Sequence, residues 1–265
     1  MKLPFAVVPF AIVPLCLLPV GLHAQSGLNR PDLGLMIDRQ GSLRQVAGVS
    51  GSFLVGAPQA AGALSFACSQ TLCAAKLKDS ILFSTTDFRL CALASGSTFA
   101  APEGDAVIAA DESGATIYFR ESSQFERWQN GALTPLDWVA AGEILSIGSG
   151  TSSSTLAVRL NGGVWIVSTA GAVLDSLPSS AQAVLLLSGA TVYTTASDVV
   201  LRRADGSEIN FAAAGVSQLF AMSDGWVEAR GKNALFALRI DSGHESLYWL
   251  PQPALRSEAG SEAQR

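Results

Sequence analysis

From about Leu33 to Leu250, short apolar runs alternate with turn residues along the chain. The runs are rich in Val, Leu, Ile, Phe, Trp and Thr. They end in Gly, Asn, Asp or Ser, which is how strands joined by tight turns read in a sequence. No long stretch carries an apolar stripe at helical spacing. The Ala-rich pieces are too short for helices, and residues 59–63 already contain Gly62. The pattern predicts an all-β protein.

The strand pairs recur. DRQGSLRQV at 38–46, WQNGALTPL at 128–136, STAGAVLDSL at 168–177, RADGSEINF at 203–211 and IDSGHESLYWL at 240–250 share one plan. Each is a strand end, a turn closing on glycine, and a second strand. The turn glycines Gly131, Gly171, Gly206 and Gly243 follow one another about every 40 residues. Gly41 lies about two periods earlier, and a degenerate copy around Asp87-Phe88-Arg89-Leu90 fills the gap. Two further strands fit between successive turns. One is apolar (144–147, 183–187, 219–222) and the next follows a short turn (155–160, 191–195, 226–230). Four strands in about 40 residues is the arithmetic of one propeller blade.

In this period and strand order the chain resembles β-propeller repeat proteins. It looks similar to uncharacterised secreted propeller-like proteins of bacteria. The resemblance implies a β-propeller of five or six four-stranded blades over residues 25–250. An irregular β-sandwich is the alternative. The hairpin at 34–47 has no strands before it to pair with, so it is expected to complete the last blade and close the ring. No signature of a particular propeller class repeats in series. Asp137-Trp138 is a lone reversed Trp-Asp pair. DESGATIY at 111–118 is similar to the Asp-box turn of sialidases, with one residue too many between Asp and Gly.

The N-terminus follows a different logic. Lys2 is the only charge before Arg30, and the run from Leu3 to Leu22 is apolar. A basic start, an apolar middle and small Ala24 before Gln25 read as a signal peptide over 1–24, placing the protein in a secreted or periplasmic setting. The rival is a retained membrane anchor. Pro4, Pro9, Pro14 and Pro19 argue against it, because each removes a backbone hydrogen bond that hydrocarbon cannot replace. After cleavage no stable membrane insertion is expected. Cys16 lacks the small preceding residue of a lipid-attachment site. At the other end, residues 251–265 are polar and lose the strand pattern, as a disordered tail does.

Composition narrows the function classes. Of 265 residues 49% are hydrophobic and 15% charged, which is incompatible with global disorder. A formal charge of -5 with no basic cluster argues against nucleic acid, where binding rests on neutralising phosphates. After leader cleavage Cys68, Cys73 and Cys91 remain. Three cysteines allow at most one bridge within a chain; the other reading is three small buried thiols. Their spacing does not suit a metal site.

Catalytic chemistry is hard to find. The mature chain keeps a single histidine, His244 beside Glu245, which reads as a surface turn residue. There is no nucleophile elbow, no phosphate loop and no calcium loop. No catalytic residue, metal or cofactor is therefore assigned. Paired carboxylates are the remaining enzymatic route, with Asp105, Asp111, Glu112, Glu121, Asp137 and Glu143 as candidates. Convergence of two of them at one mouth of the channel is what that route requires. The tryptophans 128, 138, 165, 226 and 249 are expected to pack between sheets. Arg120, Arg127, Arg202 and Arg203 read as solvated strand faces. The expectation is a non-catalytic binding scaffold for a protein or envelope partner, its binding residues unknown. A carbohydrate-binding or glycoside-cleaving propeller is the alternative.

Overall fold

The computed structural model describes residues 32–87, 92–93, 97–139, 141–148, 154–223 and 225–251. The expected leader at 1–24, Cys91, most of the degenerate turn at 87–90 and the tail beyond 251 lie outside the described residues.

Six antiparallel sheets follow one another along the chain as the blades of a propeller. Blade 1 holds β1 (Asp32–Ile37), β2 (Leu43–Val49) and β3 (Ser52–Ala60). Blade 2 holds β4 (Ser65–Cys68), β5 (Leu72–Lys76) and β6 (Ser80–Asp87); β7 (Ala92–Leu93) and β8 (Ser97–Ala100) both pair with β6. Blade 3 holds β9 (Ala106–Asp111), β10 (Gly114–Phe119), β11 (Gln124–Gln129) and β12 (Ala132–Leu136). Blade 4 holds β13 (Glu143–Gly148), β14 (Thr155–Leu160), β15 (Gly163–Ser168) and β16 (Val173–Leu177). Blade 5 holds β17 (Val184–Leu187), β18 (Ala190–Thr194), β19 (Asp198–Arg203) and β20 (Glu208–Ala212). Blade 6 holds β21 (Val216–Ser223), β22 (Trp226–Gly231), β23 (Leu235–Arg239) and β24 (Ser246–Trp249).

The repeated glycines do what the pattern asks of them. Gly131, Gly171, Gly206 and Gly243 each join the third and fourth strands of a blade. Asn130-Gly131, with φ of 52° and 78°, takes the left-handed pair of angles that a two-residue hairpin needs. Gly41 differs. It joins β1 to β2, the first two strands of blade 1, and its hairpin does not complete the last blade. The reason is topological. Blade 6 already has four consecutive strands of its own, and β2 pairs onward with β3.

Burial falls from the centre outward. β4 is buried throughout, whereas β12, β16 and β20 are mostly exposed or half-buried. Apolar layers fill the seams between blades. Ile117 and Phe83 sit between blades 2 and 3, Ile147 and Phe125 between 3 and 4, Val164 and Val200 between 4 and 5, and Val199 and Leu238 between 5 and 6. The remaining layer is shared by three blades. Met36 and Ile37 of blade 1 pack in one cluster with Phe66 of blade 2 and Phe220 of blade 6. β1 is thus a wedge, buried on both faces, between neighbours that also touch each other.

Arginines staple the seams. Arg159 reaches from blade 4 to the carbonyl oxygens of Ala181 (3.1 Å) and Gln182 (2.9 Å). Arg202 reaches from blade 5 to the Ser176 oxygen at 3.0 Å, and Arg203 to that of Ile240 at 2.8 Å. These side chains are inter-blade clamps, and for Arg202 and Arg203 this replaces the solvated faces that the sequence suggested. Of the tryptophans, Trp128 stacks on Phe83 at 4.6 Å and Trp226 lies 6.2 Å from Phe53, both between sheets. Trp138 packs 5.5 Å from Phe125. Trp165 and Trp249 are 39% and 68% exposed, contrary to expectation. They lie on the third and fourth strands of their blades, and Trp249 packs 4.4 Å from Phe236 of its own sheet.

Candidate functional site: the channel mouth

A cavity of about 310 Å³ opens where the inner strands begin. Its walls come from β4, β9, β13, β17 and β21 and the residues entering them. Among the described residues, blade 1 supplies none of the lining, because β1 is set back from the axis. Six blades therefore surround a channel walled by five strands.

An inner strand has one edge with no partner in its own sheet, and buried backbone groups need partners. Serines meet part of that need. Ser65 Oγ donates to the Ala106 oxygen across blades 2 and 3 at 2.6 Å. Ser146 Oγ accepts from the Leu186 amide across blades 4 and 5 at 2.9 Å. The sequence reading took 144–147 as an apolar run and gave Ser146 no role, and Ser65 lies outside the runs it named.

The rim is polar and ionic. Asp105 enters β9, Glu143 opens β13, Gln182 enters β17, and Ser217 and Gln218 lie near the start of β21. Arg120 follows β10 and stands between the two acids. Its Nε lies 3.8 Å from Asp105 Oδ2 and its Nη1 lies 3.8 Å from Glu143 Oε1. Arg159 Nε approaches the second Glu143 oxygen at 3.3 Å. Asp105 Oδ1 is fixed by the Ala106 amide at 2.8 Å. Beneath this rim, Val107, Leu145, Leu185 and Leu219 give apolar walls.

Two of the six candidate acids, Asp105 and Glu143, are thus brought together. Glu121 has its Cγ against Gly104, the residue before Asp105 in the chain. The other three are elsewhere. Asp111 ends β9 at the opposite end of that strand and pairs with Arg127 at 2.8 Å. Burial pushes its carboxyl up, but bonds from Arg127 and Ser113 outweigh that and hold it below the usual range. Glu112 is exposed in the same turn and Asp137 is exposed after β12. His244 is exposed beyond β23. Arg120, Arg159, Gln182 and Gln218 were not identified from the sequence. The signal was available in part: Asp105, Glu143 and Gln182 each fall at or just before the start of an inner strand.

At the end of β5, Lys76 is fully buried, its Nζ donating to the oxygens of Leu77 (2.5 Å) and Lys78 (3.0 Å). Burial pulls this ammonium down in pKa, while Asp79, Asp105 and Glu103 push it back up. The arrangement can bind polar groups from several directions at once. It is poorly set for general acid catalysis. Asp105 and Glu143 have side chains 44% and 54% exposed, without the apolar enclosure that lets a carboxyl act as an acid.

Cys68 and Cys73 face each other across the β4–β5 hairpin and are joined as a disulfide, with Cα atoms 4.1 Å apart. Among the described residues no helix is long and apolar enough to cross a membrane.

No protein family matches the chain, and no curated protein matches it. Solved structures do. A protein of unknown function from Bacteroides caccae aligns over 79% of this chain and 90% of its own, at 12% identity and a TM-score of 0.51. A chain from the crystal structure of a nidogen/laminin complex aligns over 82% and 93%, at 10% identity and a TM-score of 0.51. AztD from Citrobacter koseri aligns over 82% and 70%, at 9% identity and a TM-score of 0.44. At such identities the likeness to the first two is one of fold alone, and the six blades of the β-propeller are those of this chain's own sheets.

Proposed function

We propose that the protein is a secreted or periplasmic scaffold that binds a protein or envelope partner at the channel mouth without turning it over. The supporting observation is the rim itself. Side chains from four blades, with Arg120 held between Asp105 and Glu143, surround a cavity with apolar walls. Ligand sites commonly combine apolar walls with a few convergent polar groups. A rigid ring that presents loops suits recognition, and one structural neighbour was solved within a protein complex, that of nidogen and laminin. The leader expected from the sequence at 1–24 fits an extracytoplasmic setting, and binding of this kind needs no metal or cofactor.

The test is capture of partners by the protein, expressed with its own leader, from native envelope and medium extracts. The expected result is a stoichiometric partner retained by the wild type and lost when Arg120 and Glu143 are replaced together. Retention by the double variant would show that the mouth is not the site.

The convergence of Asp105 and Glu143 also keeps a carbohydrate reading in play. Glycoside cleavage that is abolished by Glu143→Gln would favour it over the scaffold. A protein inert toward glycosides leaves the scaffold reading as the account of the site.

A further inference from the structure

Among the described residues, nine large apolar side chains are exposed. Five of them, Val139, Leu160, Trp165, Val173 and Leu174, lie on blade 4 or on the segment that enters it. The other four are spread around blades 1, 2 and 6. Strand register puts three of the five on one face. Trp165 stands opposite Val158, Val173 opposite Val167, and Leu160 two residues beyond Val158. Residues opposite each other, or two apart on a strand, point to the same side of a sheet. The inner members of this face, Leu156, Val158 and Val167, pack in one cluster with Phe125 of blade 3. Its outer members stay uncovered, with Val173 61% and Trp165 39% exposed. Val139, 88% exposed, follows Trp138, which packs 5.5 Å from the same Phe125.

This apolar strip joins the channel mouth. Leu160 follows Arg159, the register partner of Glu143, whose carboxyl lies 3.3 Å from the Arg159 Nε. Exposed apolar surface beside a polar rim marks a docking site. The charge around it selects what docks. Asp105 and Glu143 are balanced by Arg120 and Arg159. Glu103, Glu121 and Asp137, exposed at the same end of blades 3 and 4, have no ion pair among the described residues. The strip is thus bordered by uncompensated negative charge. A second copy seated on it by a two-fold axis would bring these carboxylates against their own kind, and an anionic lipid surface would be repelled. A chain that is both cationic and apolar meets neither obstacle, and the exposed Trp165 ring accepts either kind of side chain.

We infer, resting on the mouth as the binding site proposed above, that the partner is a protein segment carrying basic and apolar side chains together, and that it runs from the mouth along the outer seam of blades 3 and 4 over Leu160, Trp165 and Val173. Exposed charges contribute little singly, so the attraction is collective and weakens with salt. The apolar contact is the part that one substitution removes.

The test is fluorescence anisotropy of a labelled peptide of alternating lysine and leucine, titrated with the full-length protein beside peptides of glutamate and leucine and of lysine and serine. The lysine–leucine peptide should bind about tenfold or more tighter than either, and added salt should weaken it. Trp165→Ser should weaken it by about tenfold at an unchanged melting temperature, and Glu143→Gln should weaken it too. Loss with Glu143→Gln alone would keep the mouth and overturn the strip. Loss with Trp165→Ser alone would detach the strip from the mouth and contradict the site proposed above. Equal binding of the three peptides, or binding of none, would overturn the partner's chemistry. A dimer in sedimentation velocity, or binding to phosphatidylglycerol vesicles, that Trp165→Ser abolishes would give the strip another occupant and overturn the inference as well.

Discussion

Phe66 and Phe220 stack with ring centroids 5.2 Å apart and planes inclined by 23°, joining blade 2 to blade 6 past blade 1. This contact explains why a six-bladed ring has a channel walled by five strands. It also predicts that Phe66→Ala strikes the ring where three blades meet. Phe66 is 2% exposed, so its loss should cost about 3–5 kcal/mol by denaturant unfolding. A cost below about 1 kcal/mol would show that the rings do not hold the seam.

Gly34 supplies a second test of the wedge. Its φ is +106°, and a Cβ there would meet the Met222 oxygen at 1.9 Å. Gly34→Ala should destabilise by well over about 1 kcal/mol, because both the backbone angle and the approach of β1 to β21 forbid a side chain. Gly56 on β3 has an ordinary φ and only normal contacts around it. Gly56→Ala should be close to neutral by the same denaturant unfolding.

These features also mark where the sequence stopped being readable. Period, turn glycines and apolar runs reveal strands, blades and most of their order, because those depend on local patterning. The Gly131 turn is such a case. The place of β1 does not depend on local pattern. Residues 38–46 look like the other glycine hairpins, yet their blade is set by whether β21–β24 already fill the sheet beyond. Site legibility followed the same line. Asp105 and Glu143 were readable as acids near strand ends. Arg120 becomes a site residue only when blades 3 and 4 are side by side, and Ser146 only when β17 lies against β13.

Asp38 should give the fold an acid limb. Burial pushes its carboxyl up, but Arg44 and the amides of Ser42 and Gln40 outweigh this and hold it below the usual range. Its contribution is therefore present above the ordinary aspartate pKa of about 3.9 and is lost as the pH falls through the lower folded value. Asp38→Asn should be less stable than the wild type at neutral pH. The difference should shrink in urea unfolding below about pH 4.

The Cys68–Cys73 bridge spans a sequence separation of only five residues. A loop this short is expected to contribute about 2 kcal/mol through the unfolded state. Residues 25–265, denatured without reductant, should then show one free thiol, that of Cys91. Cys73→Ser should lower the melting temperature in oxidising buffer and leave no difference from the wild type in strong reductant.

The central claim is that the channel mouth binds a partner without chemistry. Its most direct test is the equilibrium affinity of the captured partner for Arg120→Met and Glu143→Gln, compared with Asp137→Asn as an exposed control away from the cavity. The account predicts a loss of about tenfold or more for each mouth variant, an unchanged melting temperature, and wild-type affinity for the control. Equal affinity for all three variants would place binding on another face of the ring and contradict the account.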